Sequence, residues 1–132
     1  MKIYLTHCSA KKDASLKDTG AVTTPDRLYT SAFVRRFTSK CVERDVGWAI
    51  FSDLYGVWFP HVEHAWYDKH PDTVTEDEFR ELVRDFDEKL GGYDEIWFYY
   101  EPPHYHSFYD RLLRSTVCGG RVKKFSDLEL IG

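Results

Sequence analysis

The sequence predicts an α/β fold, a three-layer sandwich in which helices flank a small, mostly parallel central sheet of about four strands. Short apolar runs rich in β-branched and aromatic residues alternate with longer segments whose apolar residues recur at helical spacing. Alternating strands and helices imply parallel strands joined by right-handed crossovers. The length of 132 residues suits a single domain over residues 1–132.

The first half of the chain contains the signals of two strands and one helix. Lys2–His7 is β-branched and aromatic with partial alternation, which predicts a strand. A long polar segment over 9–30 follows, and we then expect a helix over 31–45, capped by Ser31. The run 46–51 is apolar throughout, as expected for a strand that is covered on both faces.

The second half repeats this pattern after a loop rich in aromatic residues and histidines. Thr75 and Glu78 form a capping box, which predicts a helix over 75–90 that ends at two glycines. The apolar run 95–100 predicts the third strand, and two prolines end it. The remaining elements are a helix over 104–117, a short fourth strand over 121–125 and a tail over 126–132.

Composition excludes several classes of protein. Hydrophobic residues make up 42% of the chain and charged residues 30%, which favours a folded core over disorder. The longest apolar runs fall far short of the roughly 20 residues that cross a bilayer, so no membrane partner is expected. The start of the chain lacks signal-peptide architecture, and the three cysteines form no CxxC pair. We therefore expect a cytoplasmic, reducing location and no cofactor.

Charge is distributed unevenly along the chain. The net charge is −4, yet residues 1–44 carry nine Lys/Arg and four Asp/Glu, whereas residues 61–101 carry four and thirteen. A bulk basic surface for nucleic acid is therefore not expected, and a nucleic-acid partner would need a local site. Solvated helix faces would give the same pattern.

Polar segments follow the first two predicted strands, at the edge where open α/β sheets bind their ligands. They are Cys8-Ser9-Ala10-Lys11-Lys12 and Ser52-Asp53-Leu54-Tyr55-Gly56. Because sequential strands are usually neighbours, we expect both segments to face one pocket. The candidate catalytic residues are Cys8, Ser9, Lys11, Ser52 and Asp53, and the candidate ligand-binding residues are Lys12, Tyr55, Gly56, Tyr67 and His106.

The candidate catalytic residues each have an expected role. Lys11 would neutralise an anionic group, although the segment lacks the glycines of a P-loop. Ser9 and Ser52 would hydrogen-bond the ligand, and Asp53 would act as a base or orient a donor. Cys8 would be a nucleophile with a histidine as base, or simply a packed residue at the end of a strand.

The loop after the second strand carries a glycine and many aromatic residues. Gly56 suits a backbone position with positive φ, and we expect it to form the floor of the pocket together with Tyr55. A plain turn would explain the same residues. The aromatic residues of this loop and four later ones would stack on a nucleobase or cover the core, and the two readings are equally open: Trp58, Phe59, Trp66, Tyr67, Tyr99, Tyr100, Tyr105 and Tyr109.

All six histidines are expected at the carboxyl edge of the sheet or in loops that leave it: His7, His61, His64, His70, His104 and His106. The pairs at 61 and 64 and at 104 and 106 have spacings like those of metal ligands, which Glu101 or Asp68 would complete. Surface histidines without a role and histidines for acid–base work fit the pattern as well. We predict that at most two of the six lie within coordinating distance of a common point.

The two polar segments resemble the motifs of a widespread family of short bacterial, archaeal and viral proteins of unknown function. That family has Cys-Ser-x-x-Lys after its first strand and Ser-Ala-x-Tyr-Gly-Leu after the next; here Asp53 replaces the alanine and Val57 the leucine. The opening motif is also similar to that of the peroxide-stress YaaA family and of the lyase domain of archaeosine synthase. The latter likeness implies chemistry on a modified guanine base of tRNA or its precursor. The family resemblance implies a fold and a site, but no reaction.

Three functions follow as hypotheses. The leading one is a nucleobase- or nucleotide-directed site, with or without catalysis, that takes a small polar or nucleotide-like ligand. The second is a metal-dependent hydrolase that uses the loop histidines. The third is a non-catalytic binding module whose aromatic loops contact a protein partner.

Overall fold

The computed structural model describes residues 1–132 apart from the side chain of His104. Five short 3-10 turns lie between or after the strands and helices. In chain order the strands and helices are β1 (Lys2–His7), β2 (Val22–Thr23), α1 (Pro25–Leu28), α2 (Ala32–Glu43), β3 (Trp48–Ser52), β4 (Gly56–Trp58), β5 (His64–Ala65), α3 (Glu76–Leu90), β6 (Glu95–Tyr99), α4 (Ser107–Ser115) and β7 (Val122–Phe125).

The central sheet has five strands in the order β4-β3-β1-β6-β7. All neighbouring pairs are parallel except β3 and β4, which are antiparallel. A separate two-stranded antiparallel ribbon joins β2 and β5. The predicted α/β class and the four predicted strands are confirmed, with shifts of one or two residues at their ends.

Helices cover both faces of the sheet. On one face Phe37 of α2 contacts the rings of Trp48 and Tyr99. On the other face Phe51 contacts Phe86 of α3 and Tyr109 of α4. The three predicted helices are present, and the predicted capping box at the start of α3 is formed. No helix within the described part of the chain is long and apolar enough to cross a membrane.

The antiparallel strand β4 is an addition to the prediction, which placed a loop there. The hydroxyl of Ser52 accepts hydrogen bonds from the amides of Leu54 and Tyr55, at 3.1 and 3.0 Å, and this closes a tight turn after β3. Gly56 has a φ of +76°, a conformation that strongly favours glycine. The turn therefore returns the chain along β3 instead of leading it away from the sheet.

Candidate functional site

A cavity of about 520 Å³ opens at the carboxyl ends of the parallel strands. Cys8 enters its wall directly after β1, and Asp53 does so directly after β3. The amide of Cys8 donates to the carbonyl oxygen of Phe51 at 2.8 Å, which continues the β1–β3 pairing to the edge of the sheet. The two polar segments of the sequence thus share one pocket through residues 45 positions apart.

Five of the ten candidate residues line this cavity: Cys8, Ser9, Lys11, Asp53 and His106. Ser9 is held in its turn because its hydroxyl donates to the carbonyl oxygen of Lys11 at 3.1 Å. The candidates Lys12, Ser52 and Tyr67 do not line the cavity, and they belong to a polar cluster beside Cys8 and Asp53. The remaining two, Tyr55 and Gly56, lie elsewhere.

Cys8 and Asp53 are in contact in the wall of the cavity. The thiol donates to Oδ1 of Asp53 at 3.7 Å, and its sulfur lies 3.4 Å from the hydroxyl oxygen of Tyr109. Burial, reinforced by the charge of Asp53, raises the pKa of Cys8 to about 11. Cys8 is therefore a neutral thiol near pH 7, and a neutral thiol is a poor nucleophile.

The second oxygen of the Asp53 carboxylate, Oδ2, is buried and has no hydrogen-bond partner among the described residues. Only 3% of Asp53 is exposed. Burial raises the pKa of this carboxyl, while the charge of Lys12 and hydrogen bonds from Cys8 and Tyr67 oppose the rise. Buried carboxylate oxygens are normally hydrogen-bonded, and leaving one without a partner costs about 1–3 kcal/mol. Oδ2 is thus a buried acceptor whose hydrogen bonding is incomplete within the described structure.

Aromatic rings form one wall of the cavity. The imidazole of His7 stacks on Tyr109, with centroids 4.5 Å apart, and lies 5.0 Å from the ring of Phe33. Its Nδ1 donates to the carbonyl oxygen of Cys8 at 2.8 Å, which fixes the orientation of the ring. These three residues line the cavity and give it flat, partly apolar surfaces.

A cluster of hydroxyl groups lies beside Cys8 and Asp53. The hydroxyl of Ser52 donates to that of Tyr67 at 3.0 Å, and the hydroxyls of Tyr67 and Tyr29 are 2.5 Å apart. Burial raises the pKa of both tyrosines, so both are neutral. Since Ser52 also caps the turn into β4, it organises the turn and this cluster and does not line the cavity.

The mouth of the cavity carries cationic side chains. Arg36 is bonded to Glu101 at 2.6 Å, and Lys69 to Glu78 at 3.1 Å. Lys11 is exposed and makes no ion pair with any described side chain. Ser31, which precedes α2, has a buried hydroxyl without a hydrogen-bond partner in the described structure. An anionic group would find free donors at this end.

Two histidines at the mouth share one carboxylate. Oδ1 of Asp72 is 3.1 Å from Nε2 of His106, and its Oδ2 is 3.3 Å from Nδ1 of His70. The Nδ1 of His106 accepts from the amide of Phe108 at 3.0 Å, at the start of α4. Both ring nitrogens of His106 are therefore engaged in holding the loop and the helix together.

The structure places the predicted floor residues away from the cavity. The ring of Tyr55 stacks on His64 at 3.9 Å, and its hydroxyl donates to the carbonyl oxygen of Ala65 at 2.9 Å. Gly56 faces α3, where an added Cβ would lie 2.2 Å from Oδ2 of Asp85. The expectation that these two residues form the floor is wrong, because the turn into β4 carries them away.

The expectation that all six histidines lie at the carboxyl edge of the sheet or in loops that leave it is wrong for His61 and His64. β4 runs antiparallel, with Trp58 opposite Ile50, so the chain heads for the other edge of the sheet before it reaches His61. His61 stacks on Phe59, and His64 packs on Tyr55 and Trp58. Neither residue lines the cavity.

No group of three or more His, Cys, Asp or Glu side chains that could hold a metal ion is present in the described part of the chain. His7, His70 and His106 line the cavity; His7 bonds the carbonyl oxygen of Cys8, whereas His70 and His106 both contact Asp72. The pair at 104 and 106, whose spacing resembles that of metal ligands, includes the side chain of His104, which lies outside the described structure.

Sequence reasoning missed the residues that α2 contributes to the site. The start of this helix supplies Ser31, Phe33 and Arg36 to the cavity. A signal for them exists: a helix that follows a parallel strand begins at the carboxyl edge of the sheet, so its first turn faces the site. For Tyr109 on α4, the only signal in the sequence was that the residue is aromatic.

Comparison with known proteins adds no relative. No family model, no curated protein and no solved structure matches this chain at a significant level. The resemblance of its two motifs to the short α/β family stays a prediction, and the function has to be argued from the geometry of the cavity.

Proposed function

We propose that the cavity at the strand ends binds a small ligand of nucleotide type, in which a ring with N–H donors carries an anionic group. The observation that carries this proposal is the free Oδ2 of Asp53, a buried acceptor without a partner among the described residues. A ligand donor would complete its hydrogen bonding. The volume of about 520 Å³ falls within the usual range of small-molecule sites.

The aromatic wall supports a ring-shaped ligand. His7, Phe33 and Tyr109 lie beside Asp53 in the lining of the cavity. Stacking of a base on such side chains contributes about 1–3 kcal/mol per base. A ring seated against this wall would bring an edge N–H to the free oxygen of Asp53.

The other end of the cavity suits the anionic group. The first-turn amides of α2 have no partners within the helix, and the helix dipole places partial positive charge there. The Ser31 hydroxyl adds a donor and Lys11 adds positive charge, while Arg36 lines the same cavity paired with Glu101. A phosphate at a helix start with neighbouring cations is a common arrangement in proteins.

Any reaction in this cavity would use Asp53 as a general base. Its Oδ2 is free to take up a proton, and its raised pKa moves the carboxyl toward the range useful for catalysis. Cys8 would serve as a hydrogen-bond donor that orients the carboxylate, since its thiol is neutral near pH 7.

The test is calorimetric titration with the four common ribonucleoside monophosphates and the matching nucleosides. We expect the wild type to bind monophosphates more tightly than nucleosides. Asp53→Asn should weaken binding of both by about tenfold or more, the worth of a hydrogen bond to a charged group. Asp26→Asn is the matched control, because Asp26 is exposed and does not line the cavity.

Lys11→Met separates the two ends of the site. It should weaken binding of the monophosphates, should reduce the dependence of their affinity on salt, and should leave the nucleosides unaffected. Failure of all eight compounds to bind the wild type, or unchanged binding by Asp53→Asn, would contradict the proposed function.

A further inference from the structure

Two consecutive lysines, both candidates from the sequence, occupy different places in the structure. Lys11 lines the mouth of the cavity, whereas Lys12 does not line the cavity at all. The backbone fixes this difference. Lys12 forms an isolated antiparallel bridge with Tyr29, and the flanking bonds join the Thr30 amide to the Lys11 carbonyl oxygen and the Asp13 amide to the Leu28 carbonyl oxygen. Lys12 is therefore held beside the hydroxyl cluster.

The ammonium of Lys12 lies over the face of the buried Tyr67 ring, with Nζ 4.5 Å from the ring centroid. The hydroxyl of that tyrosine contacts Ser52, the residue before Asp53. Lys12 is half-buried, so its charge is less screened than that of a fully exposed lysine. The geometry thus places a cation against the hydroxyl cluster that lies beside Asp53.

The groups that act on Asp53 come from several elements, and most of them are neutral. Cys8 comes from the end of β1 and Tyr67 from the loop after β5, and both hydrogen-bond the carboxylate. Tyr29 from the end of α1 and Tyr109 from α4 are neutral groups that contact Tyr67 and Cys8. Lys12 is the positively charged group that acts most on the pKa of Asp53, and Lys11, Arg36 and Lys69 line the same cavity. Burial works in the opposite direction, since it disfavours the charged carboxylate.

We propose that Lys12 is a positioning residue whose ammonium, seated on the Tyr67 ring beside the cavity, keeps Asp53 ionised so that its free oxygen can accept an N–H group. This role of Lys12 rests on the proposed function, because it requires a nucleotide ligand with N–H donors. The two lysines then have different roles. Lys11 contacts the anionic end of the ligand, and Lys12 sets the charge state of the Asp53 carboxylate.

The decisive measurement is the titration of the Asp53 carboxyl carbon by NMR in the ligand-free protein, with the signal assigned by its loss in Asp53→Asn. Lys12→Met removes the charge but keeps an aliphatic chain over Tyr67, and it should move the Asp53 midpoint to higher pH. Lys12→Arg should restore the wild-type midpoint. Lys11→Met, the adjacent control, should produce a smaller movement.

Binding of a nucleoside monophosphate across pH gives the second readout. In Lys12→Met the acid limb of the affinity profile should move to higher pH, while affinity well above the midpoint stays near the wild-type value. A merely structural role would instead lower affinity at every pH, and that result would overturn the inference. An unmoved Asp53 midpoint in Lys12→Met would overturn it as well.

Two provisions keep the test decisive. Lys12→Gln has a polar end group and takes the place of Lys12→Met should that variant not fold. If no nucleotide binds the wild type, the proposed function fails, yet the ligand-free titration still shows whether Lys12 controls the charge of Asp53.

Discussion

Gly56 joins the turn after β3 to α3, and its replacement by alanine should lower stability strongly. Its φ of +76° costs an L-residue about 1–2 kcal/mol. The new Cβ would lie 2.2 Å from Oδ2 of Asp85, which accepts the amide of Val57 at 2.7 Å. Displacing that carboxylate loses a charged hydrogen bond worth about 1.5–3 kcal/mol. Together these effects predict a loss of about 2.5–5 kcal/mol for Gly56→Ala.

Thermal unfolding followed by circular dichroism measures this loss. For a chain of this length, about 2.5–5 kcal/mol corresponds to a fall in Tm of roughly 8–20 °C. Two further glycines separate the causes. Gly20 has a φ of +73° with nothing near its Cβ position, so Gly20→Ala reports the backbone cost alone. Gly92 has neither a positive φ nor an atom near its Cβ position, so Gly92→Ala should leave Tm nearly unchanged.

The difference between Gly56→Ala and Gly20→Ala is the contribution of the Asp85 contact. If the two variants lose equal stability, Asp85 moves aside without penalty, and the reasoning about its hydrogen bond to Val57 is refuted. Ligand affinity at temperatures where Gly56→Ala is folded should match the wild type, because Gly56 does not line the cavity.

Two further predictions concern the buried pair at the site. The pKa of Asp53 is higher in the folded protein than its ordinary value of 3.8. Protonation of Asp53 therefore contributes its whole stabilising effect below about pH 3.8, and this contribution is lost as pH rises through the folded pKa. Asp53→Asn should therefore raise Tm at pH 7 and lose this advantage as pH falls toward 4, as parallel melts would show. Alkylation of Cys8 by iodoacetamide, mapped by mass spectrometry, should be slow at pH 7 and should accelerate toward pH 11. Asp53→Asn should speed the alkylation at neutral pH because it removes the negative charge beside the thiol. An unchanged rate would contradict the pairing of thiol and carboxylate.

The parts of the fold that the sequence predicts are those with strong local signals. β1 and β3 are runs of buried residues, and the capping box at Thr75 marks the start of α3. The meeting of Cys8 and Asp53 follows from topology, because parallel strands that are consecutive in the prediction lie side by side.

The parts that escaped prediction depend on tertiary structure. β4 is only three residues long, and it is held by pairing with β3 and by side chains of α3. The direction of β4 determines where His61 and His64 lie. Because the turn between β3 and β4 was not predicted, both histidines were expected at the wrong edge of the sheet. Which face of α2 meets the cavity is likewise set by packing, and for this reason Arg36 and Phe33 were not predicted.

Three carboxylates on or near the sheet show why Asp53 is the residue to test first. Asp85 accepts the amide of Val57 and pairs with Lys89. Asp87 accepts from the amides of Val117 and Cys118 and from the Cys118 thiol, and its pKa is lowered. Both have protein donors that stabilise their charge, and both join α3 to a neighbouring segment.

Asp53 differs from these two in every respect that matters for binding. It is the most deeply buried of the three, its pKa is raised, and one of its oxygens has no partner within the described structure. An asparagine or serine in place of Asp53 would be buried after β3 at a lower free-energy cost. A fold that keeps an incompletely bonded carboxylate in the wall of its cavity bears a stability cost that a ligand would offset. Binding of such a ligand should therefore raise Tm more in the wild type than in Asp53→Asn at the same ligand concentration, and an equal rise in both proteins would show that the carboxylate is not the group that the ligand completes.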